Sequence, residues 1–362
     1  MLIYFIYFIC LAVIAVEYEI KPFKSNGLLG FIILSFALLA GLRSPDVARD
    51  YQQYQFAFDT IYDFVKDESG AYFSVFEPGF VLIVLLFRVF FVYNYGVAIM
   101  LFYAIISVTA KVSIFNRYSL NPYLVILLYF SHYFIIQEMT QIRIGFASAL
   151  FLVSLIFYFK NNYGTYIAII LFASLFHYSA IFYLLLLFFD KTSFNRTFYL
   201  VILLISVLLA FLKLPIFGFL GNLLSSGNSF GKINTYSDVI QNNLVDEINV
   251  FNLINLAKIA CSIYLIFLSG IILRNDKHLL FFLKCNILSI FTLSLFSGVP
   301  LIAFRFSELF GIISVFNFAY LAKYLPFSKY NIWIIILLAC LFFYLNVIVG
   351  GLLNPYKVIG IQ

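Results

Sequence analysis

Charge is what this sequence has least of. Only 10% of its 362 residues are charged, 22 Lys+Arg against 16 Asp+Glu, where a soluble domain carries roughly 25%. So few ionic groups cannot cover a water-facing surface, which makes the chain an integral membrane protein. The four cysteines, Cys10, Cys261, Cys285 and Cys340, lie in apolar runs without CxxC spacing. They read as small buried hydrophobes, and neither a disulfide framework nor a metal site is implied. Also missing are GxGxxG after a strand, GxxxxGK[ST], HExxH and GxSxG, which removes the minimal parts of nucleotide hydrolysis, zinc proteolysis and serine hydrolysis. With no soluble domain to hold a nucleotide sugar, an enzyme of this kind must draw on an activated lipid-linked donor.

Apolar residues are abundant: 64% of the chain is hydrophobic and 21% aromatic, with 47 Phe, 27 Tyr and one Trp. They come in continuous runs and not in the alternating ten-residue pattern of an outer-membrane barrel. The fold class is therefore all-α, a polytopic membrane protein of about eleven to fourteen transmembrane helices in a single domain over residues 1–362. Residues 1–16 lack a basic region and a small-residue cleavage site, and read as a retained span and not a signal peptide. Further apolar segments fall near 28–42, 79–92, 97–114, 121–137, 144–159, 164–176, 178–189, 197–213, 251–273, 279–297, 303–322 and 331–349.

Two long polar interruptions, 43–77 and 214–250, are expected as external loops. The first holds three basic and seven acidic residues. The short connections are basic, including Lys111 and Arg117, Lys160, Lys191 and Arg196, Arg274, Lys277 and Lys284, and Lys323 and Lys329. The positive-inside rule places the basic connections in the cytoplasm and the long loops on the far side. That also accounts for the net charge of +6 without a nucleic-acid partner. The crossings then count correctly from 121 onward and fail upstream: two spans between residue 77 and Lys111 would return the chain to the outside. One of 79–92 and 97–114 must be re-entrant or interfacial, or one sign assignment is wrong.

Polar residues that the membrane should reject are the candidates for chemistry. Arg143, in TQIRIGFASAL, sits at the mouth of an apolar helix. His177, in SLFHYSAIF, interrupts an apolar stretch at the apex of a short hairpin, which places it near Arg143. Arg305 and Glu308 are three apart on one helix face, either as a mutual ion pair or with Glu308 holding a guanidinium offered to an anion. A planar, always charged guanidinium suits a diphosphate. Asp50 and Glu77 flank the first long loop close to helix mouths, where a carboxylate can take a proton from a sugar hydroxyl.

Taken together these stretches resemble the EpsG-like, Wzy-type polysaccharide polymerases. The matching segments are Arg43 with Asp50, Tyr51 and Tyr54; Glu77-Pro78-Gly79; Gln141-Ile142-Arg143 with Gly145-Phe146-Ala147; Ser174 through Ala180; and Arg305-Phe306-Ser307-Glu308. The resemblance implies a glycosyltransferase of GT-C-like architecture in the bacterial cytoplasmic (inner) membrane, independent of metal and cofactor, with its active face periplasmic. It implies joining of undecaprenyl-diphosphate-linked oligosaccharide repeat units into O-antigen or capsular polysaccharide, in contact with membrane lipid and with a separate chain-length regulator. On that reading Arg43, Arg143 and Arg305 bind diphosphate, His177, Asp50 or Glu77 handles the acceptor proton, and Glu308 and Tyr51 support them. The rival readings are a flippase of the same lipid-linked sugars, against which stands the lack of two related halves, a membrane O-acyltransferase, and a purely structural membrane subunit.

Overall fold

The computed structural model describes residues 1–66, 76–91, 93–212 and 248–360. Most of the expected second loop, 214–250, lies outside the described residues, as do Asp67 and Glu68 of the first. Among the described residues the regular elements are helices, and the only strand-like pairings are two isolated antiparallel bridges, Arg43 with Val358 and Ala48 with Leu353. Five helices are long and apolar enough to cross a membrane: Leu2–Ile20, Tyr95–Tyr118, Ile142–Phe159, His278–Leu295 and Ser328–Val349. The number rises to seven if the bent pairs Leu253–Phe267 with Ser269–Asn275 and Ile302–Gly311 with Ser314–Tyr324 each count as one span. Five further apolar helices are shorter, and many large apolar side chains face outward, Leu2, Phe31, Val89 and Leu337 among them. This is an all-α polytopic membrane protein.

The chain divides into two compact units, one made of Met1–Phe188 with Phe318–Gln362, the other of Phe189–Asn317. In the first unit ring contacts set the helix directions. Tyr103 packs edge-on against Phe146 at 5.2 Å and Tyr118 against Phe159 at 5.4 Å. Tyr95–Tyr118 and Ile142–Phe159 therefore run parallel, and the segment 122–138 returns between them. That returning segment begins at Asn121, whose side chain caps Leu124 N just before Pro122. It is buried on every face from Pro122 to Tyr129 and continues as a π-helix over Phe130–Glu138, as a central element that is apolar all round should. The unit thus has an Arg143 end and a Tyr118 end. Arg117, Lys160 and Lys323 gather at the latter, where Tyr320 OH donates to Tyr118 O.

Upstream of Tyr95–Tyr118 the apolar segment 79–92 is a short helix. Helix Pro78–Phe90 has 13 residues, roughly 20 Å long against a hydrocarbon core of about 30 Å. Phe80 and Phe87, two turns apart, meet the adjacent residues Tyr103 and Phe102. At its far end Arg88 lies 4.2 Å from the Tyr95 ring centre, so the helix runs antiparallel along the first half of Tyr95–Tyr118.

Three expectations need correction. Most of the described part of the 43–77 loop is a helix, Tyr51–Lys66, whose Tyr51, Tyr54, Ala57, Phe58 and Ile61 form one buried stripe. Its acids Asp59 and Asp63 lie on the exposed face, so a count of acids hid an amphipathic period. Lys111 is not in a basic connection: it is fully buried inside Tyr95–Tyr118 and ion-paired with Glu138. Lys284 likewise lies within Lys277–Leu295, donating to the carbonyls of Asp190 and Ser193. A lysine in an apolar run can be solvated by a loop or satisfied by the interior, and composition alone does not separate the two.

Candidate functional site at the Arg143 end

Glu77 occupies the N-cap position of helix Pro78–Phe90, with proline at the first helical turn where its missing N–H does no harm. Its side chain does not cap that helix. Instead Oε2 accepts from Arg143 Nη1, and Oε1 lies 3.5 Å from His177 Nδ1. Two glycines make this meeting possible. Gly79 N donates to Leu175 O at 2.8 Å, and a Cβ on Gly79 would stand 2.8 Å from that same oxygen. The mouth of the Glu77 helix is thereby pressed against the end of helix Tyr163–Ser174, two residues before His177. On the Arg143 side, a Cβ on Gly145 would fall 2.6 Å from Gln137 O, so only glycine lets Ile142–Phe159 start so close to the preceding π-helix.

Aromatic rings form the walls. The Arg143 guanidinium lies 5.1 Å from the Phe80 ring centre and 5.9 Å from that of Tyr54, to which it is also hydrogen-bonded. Phe146 and Phe176 pack below with tilted rings 4.6 Å apart, and Tyr103 closes the floor against both. The Tyr103 hydroxyl is buried without a hydrogen-bond partner. Burial pushes the Glu77 carboxyl up, but the hydrogen bond from His177 and the charge of Arg143 outweigh it and hold the group down at about 2. Glu77 is an anion at any physiological pH, committed to orienting an arginine and a histidine.

Arg43 comes to the same end of the unit. Its guanidinium lies 5.3 Å from the Tyr51 ring centre, Nη1 donates to Ala40 O, and Nη2 reaches Met100 Sδ at 3.9 Å. Tyr51 and Tyr54 are one turn apart on the amphipathic helix, as Met100 and Tyr103 are on Tyr95–Tyr118. The two arginines therefore flank corresponding faces of the same pair of helices. Arg143 has a carboxylate and Arg43 has none among the described residues. Arg43 is 0% exposed and its Nε is unpartnered. Burial pulls the guanidinium down to about 10, against the influence of Tyr51, Tyr54, Tyr356 and Glu138, so it remains charged. Asp50 sits at the start of helix Tyr51–Lys66, within electrostatic reach of Tyr54.

Of the residues expected from the sequence, Arg43, Asp50, Tyr51, Glu77, Arg143 and His177 are thus gathered in the first unit. Arg305 and Glu308 belong to the second. There they lie on helix Pro300–Gly311, where the charge of Glu308 acts on the buried Lys258. Lys258 Nζ reaches Ser289 Oγ at 3.4 Å, and Ser289 donates to Ser307 O at 2.7 Å. Glu308 therefore has a lysine to serve, which its spacing from Arg305 did not suggest.

Sequence reasoning also missed a polar network beneath Arg143. Lys111 Nζ donates to Glu138 and, at 2.8 Å, to Gln137 Oε1. Ser107 and Tyr129 donate to Glu138 Oε1 at 3.0 and 2.8 Å, and Ser148 donates to Gln137 Oε1 at 2.8 Å. The signal was present as a glutamate and a lysine in adjacent apolar spans, which is where intramembrane charges pair.

The sequence matches the EpsG family model over residues 26–358, nearly the whole chain. No curated protein and no solved structure matches it.

Proposed function

The chain belongs to the EpsG family, a Wzy-like polymerase family, and on that premise we propose that it joins lipid-linked oligosaccharide repeat units at the Arg143 end of its first unit. The observation that carries the reading is the Glu77 carboxylate shared between Arg143 and His177. A carboxylate that orients a histidine, beside a guanidinium, is an arrangement suited to proton removal next to a developing anion.

In this reading a hydroxyl of the acceptor unit attacks the anomeric carbon of the growing chain. The bond from that carbon to the diphosphate oxygen breaks, and undecaprenyl diphosphate leaves with the electron pair. His177 takes the hydroxyl proton while Glu77 holds its ring, and Asp50 lies at the acceptor side. Arg43 and Arg143 serve the diphosphate, two of whose oxygens a planar guanidinium can grip through two bonds. Tyr51 supports Arg43 through its ring, and Glu308 supports the second-unit cations. The active face is periplasmic or external, in the cytoplasmic membrane of a bacterium that builds O-antigen or capsule.

Deleting the gene tests the reading. Loss of a polymerase leaves single repeat units on their carrier or acceptor, whereas loss of a flippase leaves no unit exported. A surface glycan of normal length distribution in the deletion strain would end the proposal.

A further inference from the structure

A buried arginine without a carboxylate in contact is costly, and Arg43 is one: Glu138 acts on it only from beyond ion-pair distance and is itself paired with Lys111. What covers it is unusual for this molecule. Residues 350–360 form no helix after the π-turn Leu345–Val349, and run back beside the segment 42–49 as an extended strap. Ile359 N donates to Leu42 O, Ser44 N to Lys357 O and Asn354 N to Val47 O, each at 2.9 Å, and Arg43 itself bridges to Val358. Tyr356 of the strap lies edge-on to Tyr4 and within electrostatic reach of Arg43.

The strap differs from the helices on the other sides of Arg43 in how it is held. Its bridges are isolated and do not form a ladder, Asn354, Pro355 and Lys357 are exposed, and only Leu353 is buried. It is bounded by Gly351 at φ 54° and Gly360 at φ 81°, left-handed positions that glycine occupies without strain. Few buried contacts and exposed backbone bonds mark a segment that opens locally well before the fold does.

We propose that Arg43 is the receptor of a closed anion site for a diphosphate and that the strap 350–360 is its lid. The proposal rests on the reading of this end as a diphosphate site and names the element that admits the ligand. An arriving diphosphate supplies the missing counter-charge to Arg43, and the strap must part from residues 42–47 to let it in.

Hydrogen–deuterium exchange on the purified full-length protein in detergent tests this. The amides to follow are Ser44, Asn354 and Ile359, which donate across the seam, with inorganic pyrophosphate and farnesyl diphosphate as separate probes. Exchange at these amides should rise by about fivefold or more with at least one probe, the lower edge of ordinary site coupling. Response to both identifies the diphosphate group itself as the ligand, and response to farnesyl diphosphate alone identifies a lipid-borne one. Arg43→Met should abolish the response. If that variant does not fold, Val47→Cys/Asn354→Cys, oxidised across the seam, should lose the response and regain it on reduction. Unchanged exchange with both probes, or an undiminished response in either variant, overturns the proposal. No polymer is read out, so normal glycan in the deletion strain would remove the polymerase reading while leaving the lid standing or falling on its own.

Discussion

Two of the cation–carboxylate pairs in the first unit, Lys111 with Glu138 and Arg143 with Glu77, are unlike in almost everything except charge. In the first the side chains are 0% and 2% exposed, and Ser107, Tyr129 and Gln137 saturate what the ion pair leaves over. In the second they are 25% and 9% exposed, the carboxylate is divided between an arginine and a histidine, and the surroundings are aromatic faces. A saturated, dry pair has nothing left to offer a ligand and acts on the fold. A pair that is partly open, with a titratable neighbour and π-walls, keeps bonding capacity for something that arrives. The distinction between structure and function here lies in satisfaction, not in charge.

The sharpest way to break the comparison is to unpair the buried partners. Lys111→Met leaves Glu138 as an uncompensated carboxylate in the interior and should destabilise the protein by about 3–5 kcal/mol, seen as a large drop in the detergent melting temperature. Lys111→Met with Glu138→Gln removes both charges and should recover most of the loss. If the single and double variants melt alike, the pair is not a unit and the contrast with Arg143 fails.

Arg143→Lys asks the opposite question. A lysine keeps the charge for Glu77 but not the planar fork, so melting should change little while polymerisation falls by about 10²–10³, the scale of losing one preorganised donor to a developing anion. The ladder of glycan lengths and the rate with a lipid-linked unit measure it. Rescue by lysine would reduce Arg143 to a simple counter-charge for Glu77.

The pH response separates the pairs further. Glu77 titrates near 2 when folded, below an unfolded value of about 4.3. A depressed carboxyl contributes stability that is complete above its unfolded value and is lost as pH falls through its folded one. On the order of 3 kcal/mol should therefore be present at pH 7 and disappear between about pH 4.5 and 2. The difference in stability between wild type and Glu77→Gln, followed by urea unfolding across that range, should shrink toward acid. A difference that stays level down to pH 2 would show that Glu77 gains nothing from Arg143 and His177.

What could be read without coordinates divides along the same line. Arg143, His177 and Glu77 were legible because each is a polar residue at the edge of an apolar run, where solvation fails and a reason is needed. The membrane class followed from hydropathy alone, whereas its expected eleven to fourteen transmembrane helices became five to seven of spanning length among the described residues, because several apolar runs form short or bent helices. Lys111 was misread because a single lysine near the end of a long run looks identical whether it snorkels to a loop or meets a glutamate from a later span. Helix Tyr51–Lys66 was misread because seven acids in 43–77 drew attention to net charge and away from the three-to-four spacing of Tyr51, Tyr54, Phe58 and Ile61. The strap 350–360 left no trace, since its pairing to 42–49 is made by backbone groups that every residue carries.

The gentlest test concerns the glycines that bring the open pair together. Gly79→Ala sets a Cβ 2.8 Å from the carbonyl oxygen of Leu175, and backbone cannot step aside as a side chain would. A shift of a few tenths of an ångström should follow, at about 1–3 kcal/mol of overpacking. The displaced group is the helix mouth that carries Glu77, so the shift lengthens the gap to His177, which is already 3.5 Å. Polymerisation should therefore fall by more than the stability loss explains, and it should fall in kcat with KM for the lipid-linked unit little changed, because orientation of the histidine is lost and not binding surface. Gly145→Ala meets Gln137 O at 2.6 Å, against the saturated network, and should lower melting and activity together. If the two alanines behave alike, the open and saturated pairs are one structural block, and His177 has no separate orientation for Glu77 to provide.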